Sequence, residues 1–190
     1  LMVLDNGGFR DVVNTKKAVK VPADLKGLKF RTTASPVEIA MFRHWGAIAT
    51  AIDWAEVYNA LGSGVVDGEF VMATWLSTAK HYEVLKHATE NKAVIGIQTL
   101  AMTKQKFDAQ PPAVQKAIVE AANEAQEYSN KEDAALLETA RTHGRQLGVK
   151  TYTPTAEEMK LWRATGREIW GQFDAKVDKA MLKSVLDAQK

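Results

Sequence analysis

Between Ala113 and His143 the chain carries neither glycine nor proline, and Ala, Glu, Gln, Lys and Leu fill most positions. These residues lose little rotamer freedom in a helix, so the stretch predicts one long helix. At 1.5 Å rise per residue it would reach on the order of 45 Å. That exceeds the width of one small lobe, so the helix is expected to span two. Asn130 to Asp133 is a polar patch where it is free to bend or break.

Upstream, short strands alternate with helices as far as about residue 103; downstream the chain reads as helical. A strand is expected at Leu1 to Leu4. Pro22, Asp24 and Gly27 bracket a single helical turn, and Leu28 to Thr32 follows as a buried strand. Ser35-Pro36-Val37-Glu38 has the spacing of a capping box with proline at the first helical position, so a helix should run to Trp45 and stop at Gly46. Asp53-Trp54-Ala55-Glu56 repeats that spacing and opens a helix with Val57, Ala60 and Leu61 on its apolar face, ending at Gly62. Gly64 to Val71 and Ile95 to Met102 read as strands, with a last one at Val149 to Tyr152. A third capping box, Thr155-Ala156-Glu157-Glu158, opens a helix whose apolar contacts are Met159, Trp162, Ile169, Trp170 and Phe173. A closing amphipathic helix carries Val177, Met181, Val185 and Leu186.

Composition narrows the function. The 190 residues are 46% hydrophobic, enough to bury a real core in one domain or two small lobes, and the net charge is only +2 with both signs interspersed. Without a polybasic run, nucleic acid and anionic membrane are poor partners. There is no cysteine, which excludes disulfides, thiol catalysis and cysteine-based zinc sites, and fits an oxidising compartment. No apolar run reaches the length of a membrane span. The histidines, His44, His81, His87 and His143, show no i, i+4 pair of the zincin kind and read mostly as exposed helix residues. No Ser-His-Asp arrangement or phosphate-cradling loop is visible; Gly62-Ser63-Gly64 is too short for one. Glu38, Glu56 and Glu158 sit where a carboxylate satisfies an orphan helix donor, so they read as caps rather than catalysts.

Four segments then come in a telling order: Gly7-Gly8-Phe9-Arg10; Val21 to Arg31, reading VPADLKGLKFR; Glu56 to Gly68, reading EVYNALGSGVVDG; and His81 to Lys86, reading HYEVLK. In order and spacing they resemble the DctP-like solute-binding subunits of tripartite ATP-independent periplasmic (TRAP) transporters. The resemblance is strong from Gly7 to Glu90 and weaker beyond. It implies an α/β, two-lobe periplasmic-binding-protein-like fold with a long lobe-spanning helix and a helical C-terminus. Residues 1–96 would form the ligand-binding second lobe; residues 97–190 would supply the crossover strand, the spanning helix and the terminal helices. The chain starts inside a strand and without an initiator Met, so it reads as a fragment or processed piece. The family's signal peptide and most of its first lobe would lie upstream.

The function this implies is periplasmic capture of a small organic acid for transport, with TRAP membrane subunits as partners and no cofactor. Arg31 closes the Gly-Leu-Lys-x-Arg strand, where the family pairs an arginine with the ligand carboxylate. A guanidinium offers a planar fork of donors that matches two carboxylate oxygens. Arg10 matches a second pocket arginine whose role varies with the ligand, and Trp54 an aromatic position against it. Asp67 and Gly68 belong to a shared run with a structural job, a tight turn with Asp bonding nearby backbone. Many carboxylate-specific members continue Gln-Glu-Asn; here stand Glu69, Phe70 and Val71, and Val71 offers no hydrogen bond where that Asn would. With Trp54, Met72 and Trp75 this points to an apolar acid, for instance an aromatic one. Glu69 is placed to meet a polar or cationic ligand group, or to pair with a neighbouring base. Two rival readings stand: an α/β enzyme that holds a small carboxylic acid on Arg31 with Glu69 or Asp67 as base, and a helical interaction module.

Overall fold

The computed structural model describes residues 2–92 and 94–188. Its axis is strand β1 (Met2–Asn14). The carboxyl half of β1 is antiparallel to β4 (Gly68–Met72) on one side and to β5 (His87–Thr89) on the other. Its amino half pairs with β6 (Ile95–Leu100). The sheet order is β3 (Ile48–Ala51), β2 (Lys29–Thr32), β4, β1, β5, β7 (Lys150–Tyr152), with β6 branching from β1. β2 is parallel to both β3 and β4, and β7 is parallel to β5.

The expected strand at Leu1 to Leu4 is therefore only part of a longer one, and Leu1 lies outside the described residues. The glycine pair does not end it. The register with β6 shifts between Asp5 and Phe9, and Gly8 takes a φ of 101°, so the pair forms an irregularity at which the strand changes partners.

Both faces of the central strands are buried, as the adjacent and fully covered Val12 and Val13 require. On one face Val13, Val71, Leu76, Tyr82 and Ala140 form a cluster under α3 (Ala73–Thr78) and the end of α5 (Pro112–Gln146). On the other, Val12, Phe30 and Phe70 pack with Phe42 and Trp45 of the α1 segment (α1, Pro36–His44) and with Trp162 of α6 (Ala156–Glu168). Phe30 stacks on Phe42 at 4.9 Å between ring centres, and Phe42 meets Phe70 edge-on at 5.5 Å. The Trp162 indole donates to the Lys20 carbonyl at 2.9 Å, so burying it leaves no orphan donor.

α5 is one unbroken helix of 35 residues, about 50 Å at the usual rise. The Asn130–Asp133 patch does not interrupt it. Near its carboxyl end a Cβ at Gly144 would lie 2.9 Å from the Tyr82 ring, so glycine here lets helix and ring approach. Arg141 clamps the helix to the sheet, its guanidinium 3.2 Å from Glu90 and 3.7 Å from Asp11 of β1.

Several sequence expectations need correction. The segment after Asp53 is a 3-10 turn (Trp54–Glu56) leading into α2 (Val57–Gly62), and Asp53 caps nothing with its side chain. The expected strand from Gly64 begins only at Gly68. α6 ends at Glu168 and passes into a 3-10 stretch (Trp170–Lys176). Trp170 therefore leaves the face of Trp162 and is 38% exposed. In the closing helix α7 (Lys179–Asp187) no described residue is buried, so its apolar stripe meets no core. β3, α3, β5 and the short α4 (Lys104–Asp108) were not anticipated, being too brief to show periodicity.

Gly68 serves a different purpose from the one expected. A Cβ there would stand 2.3 Å from the Val13 carbonyl and 2.7 Å from the Phe30 ring, so close approach, not a turn, requires glycine. Asp67 does bond backbone, accepting from the Lys29 amide at 2.9 Å. Gly68→Ala should lose about 3 kcal/mol by overpacking in urea unfolding. Gly166→Ala, a position in α6 with nothing within 4 Å of the new Cβ, should gain up to about 1 kcal/mol. Equal behaviour of the two would contradict this packing.

Asp11 adds a pH dependence. Burial, helped by Glu90 and opposed by Arg141, pushes its carboxyl up from 3.8 to about 7. The folded state then holds a proton that the unfolded state releases near pH 4, so this group's contribution falls as pH rises from about 4 to about 7. Chemical denaturation at pH 5 and pH 8 should show Asp11→Asn losing part of the wild-type decline toward high pH. An unchanged decline would place Asp11 in water rather than in the core.

Candidate ligand-binding site

The parallel strands β3, β2 and β4 end along one edge of the sheet, the place where open α/β sheets present their binding residues. Arg31 lies near the end of β2. Phe30 is in register with Gly68, so the next residues, Arg31 and Glu69, project from one face of adjacent strands. Arg31 is 6% exposed. Its Nε donates to the Ile52 carbonyl at 2.9 Å, just past β3, and its guanidinium lies over the Trp54 ring, 5.5 Å from the centre. Burial lowers the Arg31 pKa, with the charges of Glu69 and then Glu38 pulling it back up. Among the described residues no group accepts from its two terminal nitrogens. These contacts hold the guanidinium in place, and among the described residues it forms no ion pair with a carboxylate.

Trp54 is held from two further sides. It meets Trp75 edge-on at 5.7 Å and lies against His81 at 4.7 Å between ring centres. Both tryptophans are half-buried and pack against the core cluster that contains Val71, which is itself buried. These contacts hold the Trp54 ring in one orientation.

Glu69 is fully buried, and its Oε1 lies 2.6 Å from His81 Nδ1, a residue that is 1% exposed. Sequence reasoning missed His81 and grouped it with exposed helix histidines. Its 3-10 turn (His81–Glu83) follows Lys80, which adopts a φ of 63°, and only the fold brings it to Glu69. Of the other histidines, His44 meets Glu168 at 2.7 Å and His143 meets Ser77 at 2.8 Å.

Arg10 lies at the same edge, opposite Met72 in the β1–β4 register and over the Phe70 ring at 5.8 Å. It does not present a free fork. Its Nη1 donates to Glu38 Oε2 at 3.2 Å, and that oxygen also accepts from Thr33 Oγ1 at 2.6 Å. Glu38 was expected to close a capping box. The Ser35 hydroxyl does accept from the Glu38 amide at 3.4 Å, but the Ser35 amide donates to Thr33 Oγ1 at 3.3 Å instead of to the Glu38 carboxylate. Glu158 does cap α6, accepting from the Thr155 amide at 2.8 Å, so of the three boxes only that one is complete.

Arg31, Trp54, Trp75 and Glu69 are thus gathered in one place, with Val71 in the layer beneath and Arg10 turned to Glu38. The arrangement suits holding one carboxylate beside an aromatic wall. An apolar hollow of about 700 Å³ lies elsewhere, among Leu100, Met102, Phe107, Ile118 and Val119, and none of these residues lines it. No helix among the described residues is long and apolar enough to cross a membrane.

The model of the family described as bacterial extracellular solute-binding protein, family 7 (DctP) matches residues 1–176. A solute-binding protein of Verminephrobacter eiseniae is 33% identical over 186 residues, covering 96% of this chain and 54% of its own length. The 2,3-diketo-L-gulonate-binding periplasmic protein YiaO of Escherichia coli is 39% identical, over 65% of this chain and 38% of that protein. Among solved structures, the sugar acid binding protein of Advenella mimigardefordensis in complex with galactonate superposes with a TM-score of 0.89 at 27% identity, covering 98% of this chain and 60% of the other. A TRAP periplasmic solute-binding protein of Shewanella oneidensis with bound succinate gives 0.87 at 25% identity, covering all of this chain and 63% of the other. The chain spans about half the length of the first of these relatives. These are solute-binding proteins of transporters, and none is described as an enzyme. The family match over most of the chain and the fold agree: this chain belongs to the DctP family of TRAP solute-binding proteins.

Proposed function

We propose that this chain carries the carboxylate-recognising lobe of a periplasmic binding protein that delivers a small organic acid to TRAP membrane subunits. The observation behind this reading is the buried Arg31 guanidinium. Its Nε is bonded to a carbonyl and its face is stacked on Trp54, while its terminal nitrogens have no protein acceptor among the described residues. A desolvated cation without a counter-ion is costly, and a ligand carboxylate removes that cost through two parallel charge-assisted hydrogen bonds. Excluding water on closure of the lobes strengthens the interaction.

The finer reading concerns the acid. Matched proteins hold galactonate or succinate, so the family accepts both hydroxylated and short acids. Here Trp54 lies against Arg31, backed by Trp75 and by the core cluster that contains Val71, which suits a flat or apolar tail better than a hydroxylated one. Binding energy favours the closed form, and the closed form is what the membrane subunits would recognise.

A thermal-shift screen of aromatic, keto, hydroxy and dicarboxylic acids tests this reading. A ligand present at a hundred times its Kd should add about 2.7 kcal/mol of stability, with the acid recovered unchanged. Arg31→Ala should abolish every hit. A variant that kept full affinity would refute the clamp, and conversion of the acid would favour the enzyme reading.

A further inference from the structure

We infer that Glu38 neutralises Arg10 and so makes the site selective for ligands with a single carboxylate. This inference rests on Arg31 being the carboxylate clamp and goes beyond it by assigning a selectivity role to a residue of α1.

The edge of the sheet carries two guanidinium groups, and charge alone would suit an acid with two carboxylates. The structure gives one of them an internal partner. Arg10 Nη1 reaches Glu38 Oε2 at 3.2 Å, and Thr33 Oγ1 holds the same oxygen at 2.6 Å. Glu38 is 7% exposed, so this is a sheltered contact and not a surface pair. It lies close enough to Arg31 for its charge, after that of Glu69, to act on that guanidinium, with Arg10 acting in the opposite sense. The two arginines and Glu38 therefore share one electrostatic neighbourhood.

The local geometry is not what helix formation alone would produce. At the third position of α1 a glutamate ordinarily turns back to the cap amide. Here the Thr33 hydroxyl takes the Ser35 amide and the carboxylate is released toward Arg10. Nor is the pair a saturated structural salt bridge. Arg10 Nε and Glu38 Oε1 are both buried without a partner, and only one N–O contact joins the two groups. A bidentate fork would satisfy both.

The sum over this neighbourhood sets the preference. Arg31 and Arg10 contribute two positive charges; Glu69, Glu38 and Asp53 contribute three negative ones, with His81 bonded to Glu69. A first ligand carboxylate finds the free edge of Arg31. A second finds the Arg10 guanidinium already engaged by Glu38, so it gains no new ion pair to offset its own desolvation, a disadvantage of the kind that specificity against a competitor exploits. Glu38 acts through Arg10 and is a positioning residue, not one that touches the ligand.

Titration calorimetry on the whole chain with matched acids tests this. The pairs are butanoate against succinate, and 3-phenylpropanoate against 3-(4-carboxyphenyl)propanoate. In the wild type the monocarboxylate of a pair should bind at least tenfold tighter than its dicarboxylate partner. Glu38→Gln frees Arg10 and should shift that ratio toward the dicarboxylate by tenfold or more. Thr33→Val, which loosens Glu38 without removing its charge, should shift it the same way by a smaller factor. A merely structural role for Glu38 would weaken both acids alike and leave the ratio where it was. A wild type that binds the dicarboxylate as tightly as the monocarboxylate overturns the inference, as does a ratio unmoved in both variants. Failure of every acid to bind overturns the Arg31 clamp itself, a different result from equal affinities.

Discussion

The structure turns on a buried positive charge that has dipoles around it but, among the described residues, no anion within ion-pairing distance. Arg31 is bonded through Nε to the Ile52 carbonyl, flanked by the Trp54 ring, and influenced by Glu69 and Glu38 from further away. Taking a guanidinium out of water is unfavourable unless something compensates. The sheet provides partial compensation through the Ile52 carbonyl and the Trp54 ring. This geometry depends on the parallel β3–β2–β4 arrangement, which brings the Ile52 carbonyl, the Arg31 side chain and Glu69 to one edge.

The layers on either side exist to hold that edge still. One face of the sheet is fixed by the aromatic group of Phe30, Phe42, Phe70, Trp45 and Trp162, the other by Val71, Leu76, Tyr82 and the end of α5. The Asp11–Arg141–Glu90 contacts fasten α5 to β1, and both of these elements extend well beyond the binding edge. β1 continues past its irregularity to pair with β6.

Much of the architecture was legible from local patterns. The long helix followed from composition, and Pro36 and Pro22 marked helix and turn starts because proline fixes φ where no amide is needed. Arg31 as the end of a buried strand and Trp54 as the opening of the next helical segment were also readable in order and spacing. What was not legible depended on partners distant in sequence. Glu38 looked like a cap because local spacing cannot report that Arg10, 28 residues earlier, competes for the carboxylate. His81 looked exposed because nothing in its own turn signals that Glu69 waits on a neighbouring strand. Gly68 looked like a turn residue because the clash that excludes any side chain comes from Val13 and Phe30 on two other strands. Trp170 was placed with Trp162 by a helical spacing that the chain abandons at Glu168.

By itself, then, the sequence determined the alternation of strands and helices, the length of α5, and the arginine and tryptophan types that the edge of the sheet gathers. Propensity, capping and periodicity are short-range effects written in adjacent residues. Only the tertiary structure decided which partner each charge meets: Arg31 bonds the Ile52 carbonyl, Arg10 turns to Glu38, and Glu69 turns to His81. The physical reason is that Coulomb energy and desolvation depend on distance and burial in space, and strand pairing sets both without regard to separation along the chain.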